Sequence, residues 1–191
     1  MRTDSHALII TPHKLYARAT NEMRYVTREL VLKEIVGGLW HTTHPDRFSR
    51  ILTSGGILPN PNLPDNQRWK TSRGPHFHPF VRTLGGVSLF DFAQFKPEEY
   101  SEKYPASCWS YFVPCSVEWG CAVWIEIDRE QVAANFISAA QIVAKWNADK
   151  AHRHTIMPYI EAAYVGVLPR AAFKRAFMVC DEDSEVRVLQ V

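Results

Sequence analysis

The chain reads as a mixed α+β domain, and three observations lead there. Short apolar strand signals alternate irregularly with short amphipathic helices, which does not suit regular βαβ winding. Apolar residues make up 46% and charged residues 22% of the 191, an ordinary globular balance with enough chain to bury a core. No repeat, low-complexity tract or obvious linker interrupts it.

Taken in order, Ala7-Leu8-Ile9-Ile10 suits a short strand closed by Thr11-Pro12. Over residues 20–36 Thr20 can cap a helix whose apolar face uses Met23, Val26, Leu30 and Val31. The β-branched Val26, Val31, Ile35 and Val36 also favour strand there, and helix is the preferred reading. Gly38 to Thr43 reads as a short buried strand. Pro45 then suits a first helical turn, with Phe48, Ile51 and Leu52 on one face, and Gly55-Gly56 stops the helix. Residues 59–80, rich in Pro, Asn, His and Arg, form a long loop of the kind that is uncommon unless functional or disordered.

Strand signals return at residues 86–90 and 122–127, after which Asp128 can cap a helix starting near Arg129. Residues 138–149 suit another helix. A strand over residues 161–168 leads through Pro169 into a short helix (170–175) and a last strand at Ala176–Val179.

The net charge of +2 permits a nucleic-acid partner without requiring one. No apolar run approaches the roughly 20 residues of a membrane span. The N-terminal apolar stretch is too short for a signal-peptide core, which predicts a cytoplasmic protein. Cys108, Cys115, Cys121 and Cys180 contain no CxxC pair, so neither zinc ribbon nor thioredoxin chemistry is suggested, and free thiols are expected.

Chemistry concentrates at three places. At the end of the first buried strand, His41 is a fixed imidazole suited to a sugar hydroxyl, with Thr43 adding a second polar group. Gly85-Gly86-Val87-Ser88-Leu89-Phe90 pairs small residues, which admit a ligand near the backbone, with aromatics that can stack on it. Phe90, Phe92, Phe95 and Tyr111 are the stacking candidates. Glu161 opens a strand, where a fixed carboxylate can stabilise an oxocarbenium-like cation. Glu126 is a rival, set aside because it lies within an alternating strand with Trp124 on its own face.

The order of these motifs resembles the ADP-ribosyltransferase superfamily. His41-Thr42-Thr43, a helix, and Ile51-Leu52-Thr53-Ser54-Gly55-Gly56-Ile57 resemble the opening of that fold, and the run His41-Thr42-Thr43-His44 is especially similar to that of the DarT-type toxins, which ADP-ribosylate DNA. The resemblance covers roughly residues 38–180, and implies a split mixed β-sheet with flanking helices and NAD in the cleft. It places His41 on an NAD ribose, the Thr42 backbone on the nicotinamide amide, Ser88 in the second motif, and Glu161 as the catalytic carboxylate. It assigns residues 38–191 to the catalytic domain and leaves residues 1–37 as an N-terminal extension without an assigned role. The toxins also use an arginine; of Arg68, Arg73 and Arg82, Arg82 lies closest to the second motif.

A toxin or phage-defence effector acting on DNA or RNA, with a possible antitoxin partner, follows from that resemblance alone. A protein-modifying transferase and an NAD glycohydrolase are alternatives. The pairs His41/His44, His76/His78 and His152/His154 leave room for a metal-dependent hydrolase. The run from Gln67 to Arg73, with Trp69 among basic residues, leaves room for a non-enzymatic nucleic-acid-binding module.

Overall fold

The computed structural model describes residues 28–64, 74–116, 118–181 and 185–191. The strand expected at residues 7–10, the Thr20 cap and the segment from Gln67 to Arg73 lie outside them.

A helix over residues 28–35 (α1) buries Val31 and Ile35 completely and ends at Gly37, whose φ of +88° suits a glycine. There follow β1 (Leu39–Thr43), α2 (Pro45–Thr53), β2 (Gly56–Ile57), α3 (Phe80–Thr83), β3 (Gly86–Asp91) and α4 (Pro97–Lys103). The second half contains β4 (Cys121–Ile127), α5 (Arg129–Val132), β5 (Phe136–Ile137) and α6 (Ala139–Ala148). It closes with β6 (Glu161–Val165), β7 (Leu168–Pro169), β8 (Phe173–Cys180) and β9 (Arg187–Leu189).

The α+β class is what the chain adopts. Seven antiparallel strands form one sheet in the order β5-β6-β3-β1-β4-β8-β9, and β2 pairs with β7 in a separate two-stranded ribbon. Both faces of the large sheet are covered. Along β4, Trp124 enters an aromatic core on one face, while Val123, Ile125 and Ile127 enter an aliphatic core on the other. That double burial explains why the strand reads as an almost continuous apolar run.

Local signals account for several boundaries. The Asp128 carboxylate accepts from the backbone N–H groups of Glu130 and Gln131 and so starts α5. Ser138 and Gln141 form a reciprocal capping box on α6. His44 caps α2, its Nδ1 accepting from the Asp46 N–H at 3.1 Å. That role was not read from the sequence, because histidine is not a usual cap.

Three expectations are corrected. The strand expected over 161–168 breaks at Gly166 (φ +94°), and its end joins β2 instead of the main sheet. The helix expected over 170–175 is a single 3-10 turn, Arg170–Ala172, because β8 starts at Phe173 and pairs along the length of β4. There the tertiary ladder overrides local helix propensity. Finally, Cys121 and Cys180 are not free thiols: they are register partners at the ends of β4 and β8 and form a disulfide. Cys108 and Cys115 are not disulfide-bonded.

The join between α1 and β1 is tight. The Trp40 indole N–H donates to the Ile35 carbonyl at 2.9 Å inside the core, and a Cβ at Gly38 would collide with that indole. Gly38→Ala is therefore expected to destabilise the fold by about 1–3 kcal/mol, as overpacking of a filled core does. A urea melt checks it, and an unchanged midpoint would mean that the indole moves aside freely.

Candidate active site

The site begins where two strands part. β1 and β3 pair only at Leu39↔Asp91 and Trp40↔Phe90. Past Trp40, β1 continues on β4 as far as Thr43↔Val123, while β3 runs on β6 from Phe90↔Glu161 to Gly86↔Val165. The gap opens into a cleft of about 460 Å³.

His41 is the first residue past the last β1–β3 pair. Its Nδ1 lies 3.0 Å from the Ser88 carbonyl oxygen across the gap. A carbonyl can only accept, so Nδ1 carries the proton. Burial pushes the imidazole pKa below its usual value, with the Arg47 charge adding to the effect and the Ser88 bond opposing it. The ring is thus held neutral, with Nε2 an acceptor, on a residue that lines the cleft.

Glu161 opens β6 and is only 3% exposed. Ser88 Oγ donates to its Oε1 at 2.8 Å, and the Met157 backbone N–H donates to its Oε2 at 3.0 Å. Strand register produces this contact: Phe90 faces Glu161 directly, and Ser88 is the diagonal neighbour on the same face. Burial pushes the carboxyl up to about 7, and the two hydrogen bonds only partly counter it. Ser88 therefore orients both groups, His41 through its carbonyl and Glu161 through its hydroxyl.

The other sequence candidates fall out as follows. Thr42 and Thr43 line the cleft and are buried, and Thr42 Oγ1 has no hydrogen-bond partner among the described residues. Phe90 reaches the cleft wall beside Phe112, their centroids 5.4 Å apart. Phe92, Phe95 and Tyr111 do not line it; the first two are core, their ring centres 4.7 Å apart and their planes inclined at 45°. Arg82, from α3, lines the cleft with its Nη1 3.5 Å from His78 Nε2. Arg68 and Arg73 lie outside the described residues. Glu126 pairs with Arg175 at 2.6 Å and Lys174 at 3.5 Å, away from the cleft.

Sequence reasoning missed one wall of the site. Arg47, Arg50, Ile51 and Ser54 of α2 and its cap line the cleft at positions i, i+3, i+4 and i+7. That helical stripe is readable in the sequence, but the apolar face of Phe48, Ile51 and Leu52 overlies it. Trp119 joins this wall, with the Arg47 guanidinium 5.9 Å from its ring centre. No local signal marks Trp119; only the fold brings it there.

The histidine pairs do not converge. The His154 Nδ1–H donates to the His78 carbonyl at 2.8 Å, and no group of three or more His, Cys, Asp or Glu side chains gathers as metal ligands among the described residues. Nor is any helix among the described residues long and apolar enough to cross a membrane.

No protein-family model and no curated protein matches the chain. Among solved structures, it is similar to a mutant of Escherichia coli heat-labile enterotoxin in which substitution of a buried residue abolishes activity without conformational change. The likeness spans 80% of this chain and 75% of that one at 13% identity and a TM-score of 0.40, too slight to argue from.

The raised carboxyl has a consequence for stability. The folded chain binds the Glu161 proton more tightly than the unfolded chain does, so stability falls as pH rises from about 4.5 through about 7. At about 1.4 kcal/mol per pKa unit, the loss by pH 8 reaches about 3 kcal/mol. Glu161→Gln keeps an acceptor for Met157 and a partner for Ser88 but removes the charge. Its melting temperature should match the wild type near pH 4.5 and exceed it progressively towards pH 8. Thermal melts across that range decide, and a gap independent of pH would sink the argument.

Proposed function

We propose that this protein transfers ADP-ribose from NAD, with His41 and Thr42 holding the dinucleotide and Glu161 as the catalytic carboxylate. The observation that carries the reading is the pairing, through Ser88, of a neutral imidazole with a buried carboxylate on opposite sides of a parted sheet. The cleft suits that substrate. Its arginines complement a diphosphate, its aromatic wall at Phe90 suits a planar ring, and His41 Nε2 can accept from a ribose hydroxyl.

The chemistry follows from these groups. Cleavage of the bond between nicotinamide nitrogen and ribose C1′ releases neutral nicotinamide and leaves positive charge on the sugar. An ionised Glu161, shielded from water, stabilises that charge more strongly than an exposed carboxylate would. The acceptor then attacks C1′ and gives up its proton, for which Glu161, poised at about 7, is a suitable base. Within this reading Arg82 contacts substrate from α3.

Nucleic acid, DNA or RNA, is the first acceptor to test, a protein side chain the second and water the third. The DarT-type subtype, a toxin or phage-defence role in the cytoplasm, and an antitoxin partner are the finer form of the proposal. They rest on the resemblance of the run His41-Thr42-Thr43-His44.

Radiolabelled NAD offered with separate DNA, RNA and protein acceptors tests the reading. Label should reach one acceptor with the wild type, and Glu161→Gln should reduce transfer by 100-fold or more, on the order of 3 kcal/mol of transition-state stabilisation. No NAD binding and no turnover on any acceptor would overturn it.

The pH profile supplies a second test. Because the ionised carboxylate acts, kcat/KM should rise with pH through about 7. Ser88→Ala removes a hydrogen bond that favours the ionised form, so its profile should move to higher pH. A profile that moves to lower pH, or not at all, would remove Glu161 from this role.

A further inference from the structure

The loop that delivers Glu161 carries an aromatic residue in a disfavoured backbone conformation. Among the described residues, two non-glycine residues have positive φ, Lys150 (51°) and Tyr159 (60°), and both lie between α6 and β6. Tyr159 stands two positions before Glu161. A bulky aromatic residue is disfavoured in the left-handed region, where glycine or asparagine sits more easily. Burial does not offset this, because Tyr159 is 53% exposed.

What the ring does instead is complete a surface platform. Its centre lies 5.8 Å from that of Tyr104, with the planes inclined at 33°. The Lys103 ammonium stands over both rings, 5.5 Å from the centre of Tyr104 and 5.9 Å from that of Tyr159. Helical spacing puts Lys103 on a side with Tyr100, three residues away, and Glu99, four away, while Glu98 and Glu102, four apart, share the opposite side. The Glu99 carboxylate is engaged by Lys96 at 2.8 Å, and the Lys103 ammonium gives the platform a cationic edge.

We propose that Tyr159, Tyr104 and Lys103 form a stacking site for an unpaired base of a single-stranded nucleic acid, with the Lys103 ammonium meeting a phosphate. Flat π-faces beside a cation are the elements that bind single strands without strict sequence preference. The placement of Tyr159 ties the platform to the carboxylate: Glu161 donates its backbone N–H to the Met157 carbonyl at 2.9 Å, closing the turn that displays the ring. As an acceptor subsite, the platform deepens the transferase proposal and rests on it; as a binding site, it stands separately.

Binding without NAD tests it. Fluorescence anisotropy with 5′-labelled oligo-dT and oligo-U of about twelve nucleotides should show saturable binding that weakens with salt. The site's chemistry is common to both strands, and the two oligonucleotides show which sugar is preferred. Tyr159→Asn fits the left-handed backbone, so its melting temperature should be no lower than the wild type's, while its affinity should drop about tenfold. Tyr159→Phe keeps the stacking face and should keep the affinity. Lys103→Gln should weaken binding and flatten its salt dependence. Glu102→Gln, on the far side of α4, should not weaken it. Absence of saturable binding to either oligonucleotide, wild-type affinity in Tyr159→Asn, or equal losses in Tyr159→Asn and Tyr159→Phe would each overturn the assignment. A wild type that binds the strands as expected but never cleaves NAD would sink the transferase reading and leave this site intact.

Discussion

The hydrogen bond between His41 and the Ser88 carbonyl is the interaction on which the site depends. Two strands that pair for only two residues would otherwise leave polar backbone facing an open gap, and unpaired buried carbonyls are costly. One side chain satisfies that carbonyl and ties the two strands across the gap. The same bond selects the tautomer of the imidazole, and its backbone partner also places the hydroxyl that orients Glu161. Shape, protonation and carboxylate orientation thus converge on one serine.

The electrostatics of the cleft run against folding. A carboxyl sunk among Phe90, Phe112 and Met157 is expensive to ionise, and a buried imidazole is expensive to protonate. Near neutral pH the folded chain therefore keeps part of its Glu161 carboxyl protonated, as water would not, and holds the His41 imidazole neutral. Sites of this kind concentrate where chemistry needs displaced pKa values. Arginines on α2 and α3 surround the buried carboxyl with positive charge at a distance, so the cleft as a whole favours an anionic ligand.

Much of this was legible in the sequence, for identifiable reasons. Helix starts at Pro45, Asp128 and Ser138 are chemical signals carried by single residues, and the structure has helices beginning at or beside each of them. The order of His41, Ser88 and Glu161 along the chain pointed to one site, and the three are in contact. What was not legible depends on register and long-range pairing. The break at Gly166 exists because Leu168 and Pro169 pair with β2, more than a hundred residues earlier in the chain. The disulfide exists because Cys121 and Cys180 end paired strands, which no spacing rule announces. Trp119 enters the cleft from a turn without a pattern of its own, and the cleft stripe of α2 was eclipsed by its stronger apolar face.

The short β1–β3 ladder also makes the sheet resemble a book whose spine is two residue pairs high. One cover, β1-β4-β8-β9, is stitched by ladders and by a disulfide at one end of the β4–β8 ladder; the other, β5-β6-β3, is held by ladders alone. Spreading the covers breaks no further strand pairing, since none remains beyond Trp40 and Phe90; it breaks the imidazole's bond to the opposite page. The side chain that lines the cleft is therefore also the latch between the two covers.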